Sequence, residues 1–312
     1  MSGYILVVLH KLDDSFGYYD VQSGEQIYLK KTRPFPHEVC LSPDRSKLYI
    51  AEMGVRGVES EGPGGNTVAV YETRTAAEMD SIKTGIYDRP HGLVSHPDEL
   101  LLVTSESTKH LLVFSIESEE LEKAIYLGQD YAHMVNVSPD AKRAYTTNIG
   151  SNSITEIDME KLEVVRHIPL LERPEGMAFS PDGRLIYVVC RESKAVAVVD
   201  SEKGELISKI ETGDGPVRVV ISPDGSKLAI PLFHSSAVDI VDTKEAKVIN
   251  HTKVGPHPAG TAISPDGKLV FMACEDENLV YVFDLETFEV INTISTGNGC
   301  DAMVCLFRQE IE

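Results

Sequence analysis

A short phrase recurs six times along the chain, and this repetition restricts the possible folds more than any other feature of the sequence. Its clearest copy, Arg89 to Asp98, is Arg-Pro-His-Gly-Leu-Val-Ser-His-Pro-Asp, and every copy ends in a Ser-Pro-Asp or His-Pro-Asp turn. One residue stands seven places before the Asp of each turn, and we call this the slot position. Its occupants in chain order are His37, His91, His133, Glu175, Val217 and Ala259. Repetition at a fixed spacing predicts an array of similar structural units.

Each unit contains four short apolar runs separated by turn residues. The last three runs of one copy are Leu185–Val189, Ala195–Asp200 and Glu205–Ile210. Val, Ile and Tyr dominate these runs, a composition typical of short antiparallel strands. From His133 onward the copies are spaced by 42 residues. A four-stranded unit repeated at this spacing predicts a blade of a β-propeller.

The two ends of the chain supply one further blade. One more step of 42 residues from Ala259 reaches Asp301, and the run Ala302–Phe307 supplies a first strand alone. The other three strands are predicted at the N-terminus: Tyr4–Leu9, Phe16–Tyr19 and Gln26–Lys30. The sequence therefore predicts an all-β, seven-bladed propeller formed by residues 1–312 as a single domain. Residues 298–312 and 1–31 share blade 7 in this prediction, which leaves no edge strand exposed.

The best-preserved copy, Pro174–Val188, has the pattern Pro-x-Gly-x-x-x-Ser-Pro-Asp-Gly-x-x-x-Tyr-Val. This pattern resembles the YVTN-type β-propeller repeat, and Asn148 in Tyr145-Thr-Thr-Asn stands where that repeat has its asparagine. The resemblance covers nearly the whole chain. It implies that the first strand of each blade lines a central channel, with the loops before strand one and after strand two on the same face. It implies no single function, because propellers host many unrelated activities.

Ionisable side chains occupy five neighbouring slot positions of the predicted ring. In spatial order the ring is Asp301, His37, His91, His133, Glu175, Val217 and Ala259. Imidazole and carboxylate ligands suit divalent transition metals such as Fe, Mn, Zn, Ni and Cu. We therefore predict a metal site formed by His37, His91 and His133, with Glu175 either as a fourth ligand or as a hydrogen-bonding partner of a ligand. Val217 and Ala259 leave room for a substrate, as catalytic metal sites require.

The arrangement resembles two families of metal-dependent propellers in part. Carotenoid-cleaving oxygenases hold iron with four histidines from separate blades, and oligogalacturonate lyases hold manganese with three histidines and a glutamine. The resemblance does not extend to their other motifs. The alternative is that the three histidines only line the channel and bond to water or carbonyl groups.

A second ring of polar residues is predicted in the loops after strand two: His10, Glu52, Glu106, Asn148, Arg191, His234 and Glu275. We predict His10 and His234 as general acids or bases, and Asp301 as a residue that orients His37. Arg218 and Arg191 could hold a carboxylate or a phosphate through paired hydrogen bonds. Glu52, Glu106 and Asn148 are predicted to contact the substrate. The alternative for each of these residues is a solvated rim.

One interval of the repeat is longer than the rest. His37 and His91 are 54 residues apart, and most of the excess lies in residues 53–66, which follow a second strand. This loop is predicted to project over the mouth of the channel. Its glycines and acidic residues are consistent with a mobile lid, and the alternative is an ordinary surface insertion.

Charge and composition exclude several classes of partner. A net charge of −20 argues against nucleic acid and against an anionic membrane surface, both of which require clustered Lys and Arg. Met1-Ser2-Gly3 leads directly into an apolar run without a basic segment or a cleavage site, so no signal peptide is predicted. The five cysteines lack a Cys-x-x-Cys spacing, which favours reduced thiols and a cytoplasmic location.

These observations together predict a monomeric enzyme that uses a divalent transition metal on a small polar or anionic substrate. Lyase, isomerase or hydrolase chemistry is favoured because the carboxylate-rich site departs from the all-histidine pattern of the oxygenases. Three alternatives stay open at this point. They are a non-enzymatic scaffold for a ligand or a protein, an iron-dependent oxygenase, and a lactonase without a metal.

Overall fold

The computed structural model describes residues 3–57 and 60–311, which form 28 strands and one short 3-10 helix, Arg308–Glu310. The strands in chain order are β1 (Tyr4–His10), β2 (Ser15–Asp20), β3 (Gln26–Lys31), β4 (Pro36–Leu41), β5 (Lys47–Glu52), β6 (Thr67–Glu72), β7 (Glu78–Lys83), β8 (Pro90–His96), β9 (Leu100–Ser105), β10 (His110–Ser115), β11 (Leu121–Tyr126), β12 (Ala132–Val137), β13 (Arg143–Asn148), β14 (Ser153–Asp158), β15 (Glu163–Pro169), β16 (Pro174–Phe179), β17 (Leu185–Cys190), β18 (Ala195–Asp200), β19 (Glu205–Glu211), β20 (Val220–Ile221), β21 (Lys227–Leu232), β22 (Ala237–Asp242), β23 (Lys247–Lys253), β24 (Pro258–Ile263), β25 (Leu269–Cys274), β26 (Leu279–Asp284), β27 (Val290–Ser295) and β28 (Cys300–Phe307).

The strands form seven four-stranded antiparallel sheets, which confirms the predicted all-β, seven-bladed propeller. We number the blades from the one that contains the N-terminus, so the predicted blade 7 is blade 1 from here on. Blade 1 has the strand order β28-β1-β2-β3, and blades 2 to 7 each take the next four strands in turn. The predicted sharing of one blade by the two ends is also confirmed, because β1 pairs with β28 from Tyr4 opposite Phe307 to His10 opposite Cys300.

The hydrophobic core consists of seven clusters, and each cluster lies between two neighbouring blades. Leu6 of blade 1, for example, packs in one cluster with Phe271 and Val280 of blade 7. Second and third strands face a cluster on both sides, so their sequences are continuous apolar runs. Outer strands such as Lys247–Lys253 alternate exposed and half-buried residues because only one of their faces is covered.

The Ser-Pro-Asp turns are held by their own side chains. Ser180 Oγ donates to Asp182 Oδ1 at 2.6 Å and accepts from the Leu185 backbone N–H at 2.9 Å. In the copy where histidine replaces serine, His96 Nδ1 accepts from the Asp98 N–H at 3.1 Å. This half of the repeated phrase therefore has a structural role, and the slot position is free to vary.

A left-handed backbone residue precedes the first strand in every blade. These residues are Phe35, Arg89, Tyr131, Arg173, Gly215, His257 and Gly299, with φ between 51° and 79°. In six blades the register with the second strand then shifts at or next to the slot position, as a β-bulge does. In blade 6 the first strand is reduced to Val220–Ile221 and an isolated bridge from Pro216 to Leu232. Since bulges re-aim side chains, this shared entry conformation directs slot residues toward the propeller axis.

The five cysteines are free thiols, as predicted, and four of them are buried. Over residues 3–57 and 60–311, the chain contains no helix with the length and hydropathy needed to cross a lipid bilayer.

First strands of neighbouring blades approach each other closely where the repeat has glycine after the slot position. A Cβ on Gly260 would collide with the carbonyl oxygen of Asp301, which is a backbone atom of the next blade. We expect Gly260→Ala to lower the free energy of unfolding by about 1 to 3 kcal/mol, measured by urea denaturation. The matched control is Gly57→Ala, where a Cβ meets no atom of the described residues within 4 Å. A loss of stability for Gly57→Ala equal to that for Gly260→Ala would contradict the close approach of the first strands.

Candidate functional site

All seven slot residues line one cavity of about 230 Å³ on the propeller axis. The residues are Asp301, His37, His91, His133, Glu175, Val217 and Ala259, in the order predicted from the repeat. The volume is small compared with the roughly 300 to 1,000 Å³ of pockets for drug-sized ligands. The cavity therefore suits a small molecule.

Three imidazole rings from neighbouring blades lie side by side in this cavity. The ring centroids of His37 and His91 are 4.2 Å apart, and those of His91 and His133 are 3.9 Å apart. Burial and the positive charge of its two imidazole neighbours lower the pKa of His91 well below the ordinary value. His91 is therefore a neutral imidazole at physiological pH.

His133 has the opposite electrostatic environment. Its Nδ1 is 3.2 Å from Glu106 Oε1, and its Nε2 is 3.5 Å from Glu175 Oε2. Burial alone would lower its pKa, but the hydrogen bonds to Glu106 and Glu175 raise it to about 9. Glu175 also accepts hydrogen bonds at Oε1 from Arg173 (3.0 Å) and Arg191 (3.4 Å). Against the effect of burial, the contacts with His133 and these arginines lower the pKa of Glu175 to about 2.

An ion pair crosses the channel beside the histidines. Arg218 Nη1 donates to Glu38 Oε2 at 3.0 Å, and Arg218 Nη2 binds the other oxygen of the same carboxylate. Glu38 and Arg218 follow slot residues, in the position where the repeat has glycine; Glu38 is buried and Arg218 is half-buried. Burial would raise the pKa of Glu38, but the positive charge of Arg218 keeps it below the ordinary value.

Asp301 forms a second buried ion pair in the cavity. Its Oδ2 is 2.9 Å from Lys11 Nζ, while its Oδ1 lies 3.8 Å from Arg218. Burial would raise the pKa of Asp301, but Lys11 and Arg218 lower it below the ordinary value. Asp301 is therefore ionised and engaged with cations, and none of its hydrogen bonds goes to His37, which it was predicted to orient.

Two groups of side chains have potential metal-ligand atoms within 4.8 Å of one another among the described residues. One is His37, Glu38 and His91, and the other is His91, Glu106 and His133. His91 belongs to both groups. Neither group contains all three histidines or Glu175, so the metal site predicted at the slot positions stays a prediction.

The second predicted ring divides into two sets because side chains alternate in direction along a strand. His10, Glu52 and Asn148 are the last residues of their strands, and each pairs with the first residue of the neighbouring first strand. Their side chains are buried within the blades and do not line the axial cavity. Glu52 accepts from Arg33 and Thr67, and Asn148 donates to Ser153 and Thr155.

The residues one place further along are the ones that face the axis. The cavity is lined by Lys11, Ile149, Arg191, Phe233 and Glu275, while Glu106 contacts His133. His234 lies one residue later still and lines the mouth of the cavity. Lys11, Ile149 and Phe233 were not predicted from the sequence. The pairing register would have identified them. In blades 1 and 4, for example, the last residue of the second strand pairs with the first residue of the first strand, and the residue after that pair faces the axis.

The long loop, residues 53–66, reaches the mouth of the cavity. Arg56 and Gly57 line the cavity wall, as the predicted position over the channel requires. Arg89 donates to the carbonyl oxygens of Ser60 and Gly62 and so attaches the loop to the entry turn of blade 3. Part of the predicted lid, residues 58–59, lies outside the described residues, and lid motion stays a prediction.

Comparisons with known proteins show which propellers the chain is similar to. Residues 84–227 match the sequence model of the YNCE-like β-propeller family. No curated protein has a sequence that matches this chain significantly.

The chain is similar in structure to many solved propellers. The periplasmic gluconolactonase of Pseudomonas aeruginosa is 17% identical, with 98% of this chain and 99% of that chain covered at a TM-score of 0.80. A Bacteroides uniformis protein to which 6-phosphogluconolactonase activity is ascribed is also 17% identical, with coverages of 98% and 100% and a TM-score of 0.81. The hydrazine synthase of Kuenenia stuttgartiensis is 20% identical, with coverages of 87% and 89% and a TM-score of 0.76. At these identities the likeness demonstrates the shared fold.

His10 lies outside the cavity, and its buried contacts give stability a specific dependence on pH. Its Nδ1 is 3.0 Å from Ser15 Oγ, its Nε2 is 3.0 Å from the Tyr19 hydroxyl, and burial lowers its pKa to about 4. The unfolded chain binds a proton at this histidine near pH 6.5, whereas the folded chain does so only near pH 4. Stability therefore falls as the pH is lowered between these values.

We expect His10→Gln to remove this part of the pH dependence. Between pH 7 and pH 5 the wild-type protein should lose about 2 kcal/mol more unfolding free energy than the variant does. Urea denaturation at the two pH values measures both proteins. Equal losses would show that His10 is not held neutral by its burial.

Proposed function

We propose that this seven-bladed β-propeller of YVTN-type repeats is a metal-dependent hydrolase that acts on a small anionic ester or lactone in its axial cavity. The observation that carries the proposal is the group His91, Glu106 and His133. Two of its members have a buried acceptor atom without a hydrogen-bond partner among the described residues: His91 Nδ1 and Glu106 Oε2. Buried polar atoms in folded proteins are almost always paired, so two such atoms in one group favour a bound cation.

The donor set fits a catalytic transition metal. Two histidines and one carboxylate are a common ligand set for catalytic zinc and for non-haem iron, and three protein ligands leave a position open for water. In the protein without metal, a proton on His133 Nδ1 lies between that imidazole and Glu106. A metal in this group would replace that proton, so its binding would release a proton into the solvent.

Glu175 and its arginines would support the same group from outside. Glu175 is 3.5 Å from His133 Nε2, the nitrogen that faces away from Glu106. A carboxylate on the distal nitrogen of a metal-bound histidine fixes the ring and increases its basicity. The sequence left open whether Glu175 binds the metal or hydrogen-bonds to a ligand. In this proposal Glu175 hydrogen-bonds to the ligand His133.

The other group is less suitable for a cation. Both oxygens of Glu38 already accept hydrogen bonds from Arg218, so the carboxylate charge is compensated. His37 Nδ1 is 3.4 Å from the same carboxylate. We therefore assign His37 a packing contact with His91 and place the metal on the His133 side.

A metal in this position would supply an acidified water and polarise a carbonyl group. The chain itself would position the substrate: Arg191 lines the mouth and would donate to its anionic group, and Val217 and Ala259 leave the opposite wall open. The ion pair of Arg218 and Glu38 crosses the channel beside the histidines. The substrate would therefore approach the histidines from the mouth. The small cavity limits the substrate to a compact molecule.

Metal content tests the proposal. Protein that is stripped with a chelator, incubated with Zn²⁺, Fe²⁺ or Mn²⁺ and then desalted should contain one ion per chain by elemental analysis. His91→Gln and Glu106→Gln should each reduce the affinity at least about tenfold, because each removes a ligand. The matched control is Glu52→Gln, which changes a buried glutamate at the end of the second strand of the neighbouring blade, away from the cavity, and should bind metal as the wild type does.

Absence of stoichiometric metal in the wild type would refute the metal-dependent proposal. An equal loss of metal affinity in the Glu52 and Glu106 variants would refute the assigned ligand group, since Glu106 contacts His133 and Glu52 does not.

A metal-free lactonase is the second candidate, and a specific feature favours it. His91 and His133 are neighbouring imidazoles whose pKa values are shifted in opposite directions. Such pairs provide a base and an acid at the same pH. In this mechanism neutral His91 takes a proton from the attacking water while the His133 imidazolium stabilises the developing oxyanion. The gluconolactonase with the same fold is a relative for which a lactone is the named substrate.

Chelation separates the two mechanisms. Hydrolysis of an aldonolactone, followed by acid release, should stop when metal is removed and return when it is added if the metal-dependent proposal is right. Full activity after chelation, with loss in His91→Gln, would instead identify the metal-free lactonase. Activity that persists in both His91→Gln and Glu106→Gln would contradict both candidates.

A further inference from the structure

The mouth of the axial cavity is a second cavity of about 540 Å³ whose lining is rich in arginine. Arg56, Arg173, Arg191 and His234 line it, with Glu192 as its acidic member. Arg56, Arg173 and Arg191 also line the axial cavity, so the two spaces adjoin each other at these arginines. A group bound at the mouth would therefore lie next to the axial cavity that holds the histidines.

Three arginines at the mouth face carboxylates of the axial cavity through part of their donors. Arg173 and Arg191 share one oxygen of Glu175, and the other oxygen of that carboxylate faces His133. Arg56 lies 4.0 Å from Glu275, which also faces Lys11 at 3.5 Å. In a protein with a net charge of −20, three guanidinium groups around one cavity concentrate the planar N–H donors that oxyanions accept from.

Arg191 is held in a fixed orientation at this mouth. Its guanidinium lies over the ring of Phe233 at 4.7 Å, and Phe233 stacks on His257 at 4.4 Å. His257 Nδ1 is in turn 2.6 Å from Asp276 Oδ2. Arg191 Nε is buried and has no hydrogen-bond partner among the described residues. The contacts with Phe233 and Glu175 therefore position a guanidinium that keeps donor capacity for a ligand.

We propose that the mouth is a binding subsite for an oxyanion, a phosphate or carboxylate group, contributed by the substrate. Arginine presents its N–H donors in a planar fork that matches both kinds of oxyanion, and a cluster of such forks in a partly enclosed cavity binds them more strongly than exposed lysines do. Arg191 provides the fixed fork, Arg56 an adjustable one from the long loop, and His234 a further ring nitrogen. This deepens the proposed function by naming the substrate class, and it rests on that proposal only for the chemistry beyond the mouth.

Titration calorimetry with inorganic phosphate and with acetate, on the chelated full-length protein at low ionic strength, tests the subsite. The wild type should bind at least one of the two anions at a single site, and the preference between them distinguishes a phosphate from a carboxylate substrate. Arg191→Gln should weaken binding about tenfold, and Arg56→Gln several-fold, because each removes charged donors. Arg56 has a largely exposed side chain, so its variant remains informative if Arg191→Gln fails to fold.

Arg143→Gln is the matched control. Arg143 is paired with Glu156 and Asp158 in blade 4, away from the mouth, so its loss changes the net charge equally and should leave anion binding unchanged. No binding of either anion to the wild type, or equal weakening in all three variants, overturns the subsite. Anion binding in a protein that holds no metal and hydrolyses no lactone would leave the subsite standing and reject the proposed function. Metal-dependent hydrolysis without anion binding would support the proposed function and reject the subsite.

Discussion

The site depends on one backbone arrangement that every blade repeats. A left-handed residue, followed in six blades by a bulge, turns the start of the first strand so that the slot side chain faces the axis. In five of the seven blades the left-handed residue is not glycine, a conformation that costs of order 1 kcal/mol or more at each position. The ring of packed blades holds these conformations in place. The convergence of His37, His91 and His133 is therefore a property of the whole closed ring.

Much of this architecture is predictable from the sequence because the repeat fixes equivalent positions. The predicted runs Tyr4–Leu9 and Gln26–Lys30 differ from the observed strands by one residue at one end. The order of the seven slot residues also follows directly from the spacing. Repetition carries the information here, since it aligns positions that are far apart in the chain without any knowledge of contacts.

The second ring could not be predicted in the same way, because an error of one residue reverses the direction of a strand side chain. The prediction aligned His10 and Asn148 with Glu106 and Arg191. In the structure His10 and Asn148 lie one position earlier in their blades than Glu106 and Arg191 do in theirs, so their side chains point into the blade. Glu38 was missed for another reason. It was visible as a departure from the glycine of the repeat, but its pairing with Arg218 crosses the axis between blades that are distant in sequence.

Electrostatics gives the axial site its two sides. Carboxylates and histidines lie together around His133, while arginines collect at the mouth, and Glu175 joins the two regions through contacts with both. An anionic group at the mouth and a cation among the histidines would each complement the charge it meets. The proposed chemistry and the proposed recognition of the substrate thus follow from one distribution of charge in an acidic protein.

The most direct test of the central claim is a crystal structure of the protein soaked in a divalent transition metal, with anomalous scattering measured at the absorption edge of that metal. We expect one strong peak on the axis, about 2.0 to 2.2 Å from a ring nitrogen of His91, a ring nitrogen of His133 and a carboxylate oxygen of Glu106. A peak confined to surface residues, or an axial cavity without anomalous signal at saturating metal, would contradict it.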